Sequence, residues 1–261
     1  MVQGPCTGLI IVYEQYTCPQ NRKRRIEKVK KKKQLSYDDY FEEESDGTFY
    51  FVAGYTSGGA PYGTIWEEIL ASELILRAAV KNDAKPAAEL IRVANGDIAE
   101  LLTGKTKPQN VRDTLALYFR EDINRFSYKN IWIASVMDKV AGLVITYPGE
   151  DAARLDETIL NRLRKKQGNP LKSFDQEADE KDYYIDTLSV HPKFQGHGIG
   201  TALIKKAETV AKEKGYKRIS LNVAHGNVSA KHLYKKLGYT EEKVIQINKH
   251  NYDYMVKILS D

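Results

Sequence analysis

The stretch that most constrains this chain is Leu188-Ser189-Val190-His191-Pro192-Lys193-Phe194-Gln195-Gly196-His197-Gly198-Ile199-Gly200-Thr201. Residues Tyr183 to Val190 read as a strand that ends where Pro192 turns the chain. Residues 201–214 read as an amphipathic helix: Leu203, Ile204, Ala207, Val210 and Ala211 share one face, and Lys205, Lys206, Lys212 and Lys214 face out. Between the two, glycines alternate. Glycine lets a backbone approach a ligand closely and reach angles closed to other residues. The first N–H groups of a helix lack internal partners, and the helix dipole adds to their pull on an anion. Together these features make a cradle for a pyrophosphate. A dinucleotide fold would want Gly-x-Gly-x-x-Gly after the first strand; here Gly-x-Gly-x-Gly comes late. A triphosphate loop would need a lysine that is missing. On this segment alone, a purely structural turn stays open.

The surrounding pattern points to a mixed α/β sheet. Residues 74–79 read as a strand. Asn82 is an expected N-cap, with Pro86 in the first turn of a helix that carries Ala88, Leu90, Ile91, Ile98, Leu101 and Leu102 to Gly104. A second helix is expected over 111–126, then strands over 130–137 and 140–147 with Asp138-Lys139 as the hairpin turn. A long connection, 148–182, holds a short helix over 156–166. Such a length in a compact domain is usually functional or mobile. After the glycine segment come a strand at 218–223, a helix at 227–237 closed by Gly238, and strands at 244–247 and 255–259.

Residues 1–71 differ in texture and are read as a separate N-terminal segment before a domain over 72–261. This segment holds a basic tract at 22–33, an acidic run from Asp38 to Asp46, and a short β segment at 48–55. The glycine-rich turn at 57–63 lacks a Lys-Ser or Lys-Thr pair, so no phosphate loop is read there. The formal net charge of +5 is spread in blocks. Charge runs are usually solvated, and a nucleic-acid-binding arm is the sharper alternative for the basic tract. Cys6 and Cys18 are too few for a disulfide framework, and no metal site is expected. The apolar run at 8–13 is too short to span a bilayer and lacks a basic flank before it, so a cytoplasmic protein without a membrane partner is expected.

The order Leu-x-Val-x-Pro-x-x-Gln-Gly-x-Gly-Ile-Gly, followed by Asn227-Val-Ser-Ala230-x-x-Leu233-Tyr234-x-x-x-Gly238-Tyr239, resembles the GNAT superfamily of acyl-CoA-dependent N-acyltransferases. The resemblance covers about residues 72–259. It implies a GNAT-like fold whose central sheet splays between the strand at 183–190 and that at 218–223. Acetyl-CoA, as cosubstrate, would lie in that wedge. Its pantetheine arm would pair with backbone near Leu188 and Val190 and meet Asn227, whose other role is to cap its helix. The pyrophosphate would sit on N–H groups of Gln195, Gly196, His197, Gly198, Ile199, Gly200 and Thr201.

The implied reaction is direct attack of a neutral amine on the thioester. Tyr234 matches the family's proton donor to the leaving thiolate, with packing on the sheet as its other reading. Asp186 is the expected general base, sharing a strand face with Tyr184 and Leu188; an Asp bonded to backbone or a lysine is equally open. Glu177, Asp179, Glu180 and His191 are rivals. Leu188 and Ser189 would meet the oxyanion through backbone N–H groups. The implied acceptor is a small-molecule or peptide amine; the acidic connection reads either as a lure for a cationic amine or as a solvated loop. The alternative is a non-catalytic acyl-CoA-binding or sensing module. A monomer or a homodimer fits either.

Overall fold

The computed structural model of the protein describes residues 49–167 and 173–260. The two cysteines, the basic tract and the acidic run lie outside them, as does residue 48 of the short β segment. The chain divides into two compact units, one ending at Ile69 and the other running on from Leu70. In the first, β1 (Phe49–Tyr55) and β2 (Pro61–Ile65) form an antiparallel hairpin. Its glycine-rich link is a turn: Thr56 N–H donates to the Ala60 carbonyl at 2.8 Å, and Ala60 N–H to the Thr56 hydroxyl at 3.1 Å. Helix α1 (Trp66–Glu73) follows.

The second unit is built on a seven-stranded sheet. Its strands are β3 (Leu74–Ala78), β4 (Ile131–Val136), β5 (Lys139–Pro148), β6 (Tyr183–Val190), β7 (Arg218–Ala224), β8 (Thr240–Ile247) and β9 (His250–Ile258). They lie in the order β3-β4-β5-β6-β7-β9-β8. All neighbours are antiparallel except β6 and β7. Strand β5 is buried along nearly its whole length, as its unbroken apolar run requires of a strand covered on both faces.

Helices cover both faces. On one, α2 (Ala84–Asn95) packs on β5, β6 and α4 (Pro108–Arg120), with the short α3 (Ile98–Thr103) and α5 (Ala152–Gln167) beside them. Ala84, Ala87, Ala88, Leu90, Ile91 and Ala94 of α2 are all buried there; the small residues let the helix sit close. On the other face α6 (Ile199–Glu213) packs on β4, β5 and β6, and α7 (Val228–Lys236) follows β7. No helix among the described residues is long and apolar enough to cross a membrane.

Several boundaries differ from the sequence reading, for local reasons. The residue before α2 is Asp83, not Asn82; its carboxylate holds the Val80 N–H at 2.8 Å and takes two 2.7 Å bonds from Arg77. The helix expected to run to Leu102 breaks at Gly96 into α2 and α3. Helix α4 begins at Pro108 and stops at Arg120, which frees Arg125 for a loop. The β4–β5 turn is Met137-Asp138, both at positive φ (49° and 61°), because Val136 pairs with Lys139. Strand β8 starts at Thr240, earlier than read: it is an edge strand and its first five residues are exposed, so it carries no apolar alternation.

Candidate active site

Strands β6 and β7 pair only at Tyr183↔Ile219, Tyr184↔Ser220 and Ile185↔Leu221. Beyond Ile185 they part, and β6 keeps only β5 as its neighbour as far as Val190. Here is the splay expected from the sequence. Backbone groups alternate sides along a strand. The His191 N–H donates to the Ala141 carbonyl on the β5 side at 2.8 Å, so the groups of Val190 and Leu188 face the wedge. The Gln195 side chain reaches the Val190 carbonyl at 3.0 Å and so ties the glycine loop to the strand end. By the same alternation the backbone of Ser189 is turned to β5, away from Leu188's.

A bulge shapes β6 at mid-strand. Ile145 pairs with Thr187 but Thr146 with Ile185, so Asp186 is an extra residue. Asp186 and Thr187 therefore both point to the α2 face: Thr187 Oγ1 donates to Asp186 at 2.7 Å and lies 3.4 Å from Asn95 Nδ2 of α2. Leu188 is turned to the opposite face, 4.0 Å from where a Gly200 Cβ would lie. The expectation that Asp186 and Leu188 share a face is thus corrected by one inserted residue.

At the mouth of the wedge the glycine loop borders a cavity of about 370 Å³. Leu188 and Val190 of β6, Gln195, Gly196, Gly198, Ile199, Gly200 and Thr201 of the loop and α6, and His232, Leu233 and Lys236 of α7 line it. Gly196 and Gly198 have φ of +82° and +80°, and a Cβ on either would meet nothing within 4 Å. Their need is conformational: these angles turn the chain so that α6 starts facing the cavity. The first intrahelical bond of α6 is Ala202 N–H to the Gly198 carbonyl, so the N–H groups of Ile199, Gly200 and Thr201 have no partner within the helix. Lys236 adds positive charge. His197 is not among the lining residues; burial lowers its pKa.

Asn227 stands just before α7 and its side-chain oxygen accepts from Ala230 N–H at 3.1 Å, an N-cap bond. Tyr234, one turn past Ala230 on α7, is fully buried, 6.1 Å edge-on from Tyr239. Its hydroxyl has no hydrogen-bond partner among the described residues, and burial pushes the phenol well above its usual range. Tyr234 is not itself among the residues that line the cavity, although Leu233 beside it is.

On the α2 face lies a network that sequence reading missed. Arg125, in the loop after α4, is buried and donates through Nε and Nη2 to Asp186 Oδ2 at 2.8 and 2.6 Å. The same guanidinium grips Glu177 in a fork, at 3.0 and 2.7 Å, and lies 3.4 Å from Asp156 of α5. Tyr147 also donates to Asp186 Oδ2, and Tyr184 to Glu177 Oε2 at 3.1 Å. Burial raises the pKa of Glu177 against the pull of Arg125, and raises Asp156 to about 6. Burial works against the Arg125 charge, yet Asp186 and Glu177 hold its pKa well above the usual value. Asp186 and Glu177 are thus together; of the other rivals, Asp179 and His191 go elsewhere. Asp179 pairs with Lys243 at 2.6 Å, Asp182 with Arg218 at 2.7 Å, and His191 Nδ1 accepts from Lys193 N–H at 3.3 Å. Asp175 accepts from Asn248 N–H at 2.8 Å. The acidic connection is tied down at each of these points.

Residues 97–239 match the acetyltransferase (GNAT) family. Over 62 residues the chain is 44% identical to an uncharacterized N-acetyltransferase of Methanocaldococcus jannaschii, which covers 24% of this chain and 27% of that protein. Over 58 residues it is 40% identical to thialysine N-epsilon-acetyltransferase of Bos taurus, covering 22% and 34%. The chain thus spans about a third or less of these curated relatives. Among solved structures, one described as an acetyltransferase superimposes with a TM-score of 0.60 at 30% identity, covering 71% of this chain and 100% of that one. An N-acetyltransferase from Staphylococcus aureus Mu50 gives 0.60 at 25% identity, covering 70% and 100%. With its mixed sheet, its splayed strands and a family match over more than half its length, the chain belongs to the acetyltransferase (GNAT) family.

Proposed function

We propose that the protein is an N-acetyltransferase that moves an acetyl group from acetyl-CoA to a primary amine by direct attack. The observation that carries this reading is the coupling of the β6–β7 wedge to the glycine cradle at its mouth. The residues present suit the coenzyme. N–H groups of Ile199, Gly200 and Thr201 offer donors to a pyrophosphate. Backbone groups of Leu188 and Val190 suit an extended pantetheine arm, which would lie against β6 as an added strand. Asn227, the cap of α7, stands at the end of the strand that borders the wedge and is the side chain we assign to that arm.

At the thioester, the Leu188 N–H is placed to meet the developing oxyanion. Tyr234 donates the proton that lets the thiolate leave; its unpartnered hydroxyl is a donor held in reserve. Asp186 already accepts four hydrogen bonds, so it serves best as the fixed end of the Arg125 network rather than as the base itself. Asp156 has the one long contact and is 14% exposed, so the amine's proton leaves through it. A cytoplasmic setting goes with acetyl-CoA as donor. The unpartnered buried hydroxyl of Tyr234 favours turnover over a sensing module, for which no particular contact speaks.

Calorimetry with acetyl-CoA, followed by thiol release with a panel of primary amines, tests this reading. Binding and amine-dependent release are the expected results. A folded protein that shows no heat with acetyl-CoA refutes it.

A further inference from the structure

Asn222 follows Leu221, the last residue of β7 that pairs with β6, so it sits where the two strands separate. It is 1% exposed. Its Nδ2 donates to the Glu177 carbonyl at 2.8 Å and to the Tyr184 hydroxyl at 2.9 Å. The carbonyl partner fixes which end of the amide is which, since a carbonyl can only accept. That leaves Asn222 Oδ1 buried with no donor among the described residues. A buried amide oxygen in this state is costly and calls for an N–H or O–H from outside the chain.

A second deficit lies in the same network. Tyr184 links the Asn222 amide to Glu177, and Glu177, Asp186 and Asp156 share one cation, Arg125. No other cation is bonded to any of the three among the described residues. Three carboxylates against one guanidinium leave the site short of positive charge, with only Asp156 partly open to solvent. One chemical group meets both shortfalls. An alkylammonium brings N–H donors for Asn222 Oδ1 and a charge for the carboxylates. An alcohol has only the donor, and a quaternary ammonium only the charge.

We infer that Asn222 and the carboxylates around Arg125 form the docking site for the acceptor's ammonium group. This rests on the acetyl-transfer reading and deepens it. Asn222 is the specificity-determining residue: it reads N–H donors, while Glu177 and Asp156 read charge. The amine docks charged and gives up its proton to this network before attack.

The test is calorimetry on the full chain with three probes, n-butylammonium, tetramethylammonium and n-butanol, each with and without saturating coenzyme A. The free thiol form allows no transfer. The expected result is that n-butylammonium binds and the other two bind at least about tenfold more weakly, the order set by one charge-assisted hydrogen bond. Asn222→Ala lowers n-butylammonium affinity by about the same factor and leaves tetramethylammonium unchanged. Its coenzyme A affinity, unaltered, reports a folded protein. Glu177→Gln keeps the side chain's size, removes one charge, weakens both cations, and carries the test should Asn222→Ala fail to fold. Equal n-butylammonium affinity in the native protein and the variants, or no preference over n-butanol, overturns the inference. Loss of coenzyme A binding alone strikes the acetyl-transfer reading instead, because the probes are also titrated without it.

Discussion

Arg125 spends two of its donors on one oxygen of Asp186, 61 residues away in sequence, and turns its remaining fork to Glu177. The loop after α4, the bulge of β6 and the connection before β6 are thereby joined through a single guanidinium. Replacing Arg125 by Met strands at least two carboxylates in the interior. Breaking a buried pair in this way costs about 3–5 kcal/mol. Urea unfolding of Arg125→Met should show that loss, and the further change Asp186→Asn should recover part of it.

Asp156 sits at the outer end of the same network, where burial outweighs Arg125 and lifts its pKa from 3.8 to about 6. The folded protein therefore holds this proton more tightly than the unfolded chain. Above about pH 6 both states are ionised and the folded state bears the cost. Asp156→Asn should raise stability there by roughly 2–3 kcal/mol, given about 1.4 kcal/mol per pKa unit. The gain should shrink as pH falls from 6 towards 4 and vanish below it. Thermal melts of both proteins across that range check the sign; a gain that persists at pH 3 contradicts it.

Tyr234→Phe separates chemistry from folding. The hydroxyl has no partner in the interior, so its removal should leave the melting temperature unchanged or slightly raised. Loss of a proton donor to the leaving thiolate should lower kcat by about 100-fold. A variant with full kcat would show that the phenol only fills space.

Gly198→Ala isolates the cradle. No atom blocks a Cβ there, but φ of +80° is strained for alanine by about 1–2 kcal/mol. The fold should tolerate this. The start of α6 should not keep its aim, and affinity for acetyl-CoA should fall at least about tenfold by calorimetry, with the sheet intact by circular dichroism.

The sequence made the frame of this molecule legible where pattern and geometry coincide. Strand β6 was readable to the residue, because Tyr183 to Val190 is rich in aromatic and β-branched residues and bounded by Asp182 and Pro192. The glycine cradle was readable because few other residues tolerate its angles. The bulge at Asp186 was not, since it arises from register against β5, and with it went the face of Leu188. Arg125 and Asn222 were invisible for another reason. Each is an ordinary polar residue until the fold brings it to partners 31 to 61 positions away. One signal was available for Arg125: a lone cation between Asn124 and Phe126, at a place where a helix was read too long.

The three-pair seam between β6 and β7 also bears on how long the protein survives. A molecule that fills the gap binds the folded chain and has no site on the unfolded one, so each increment of its concentration shifts the balance away from the protease-sensitive form. Copies made in a cell poor in acyl thioesters would be degraded sooner than those made in plenty, and abundance would follow supply without any regulator.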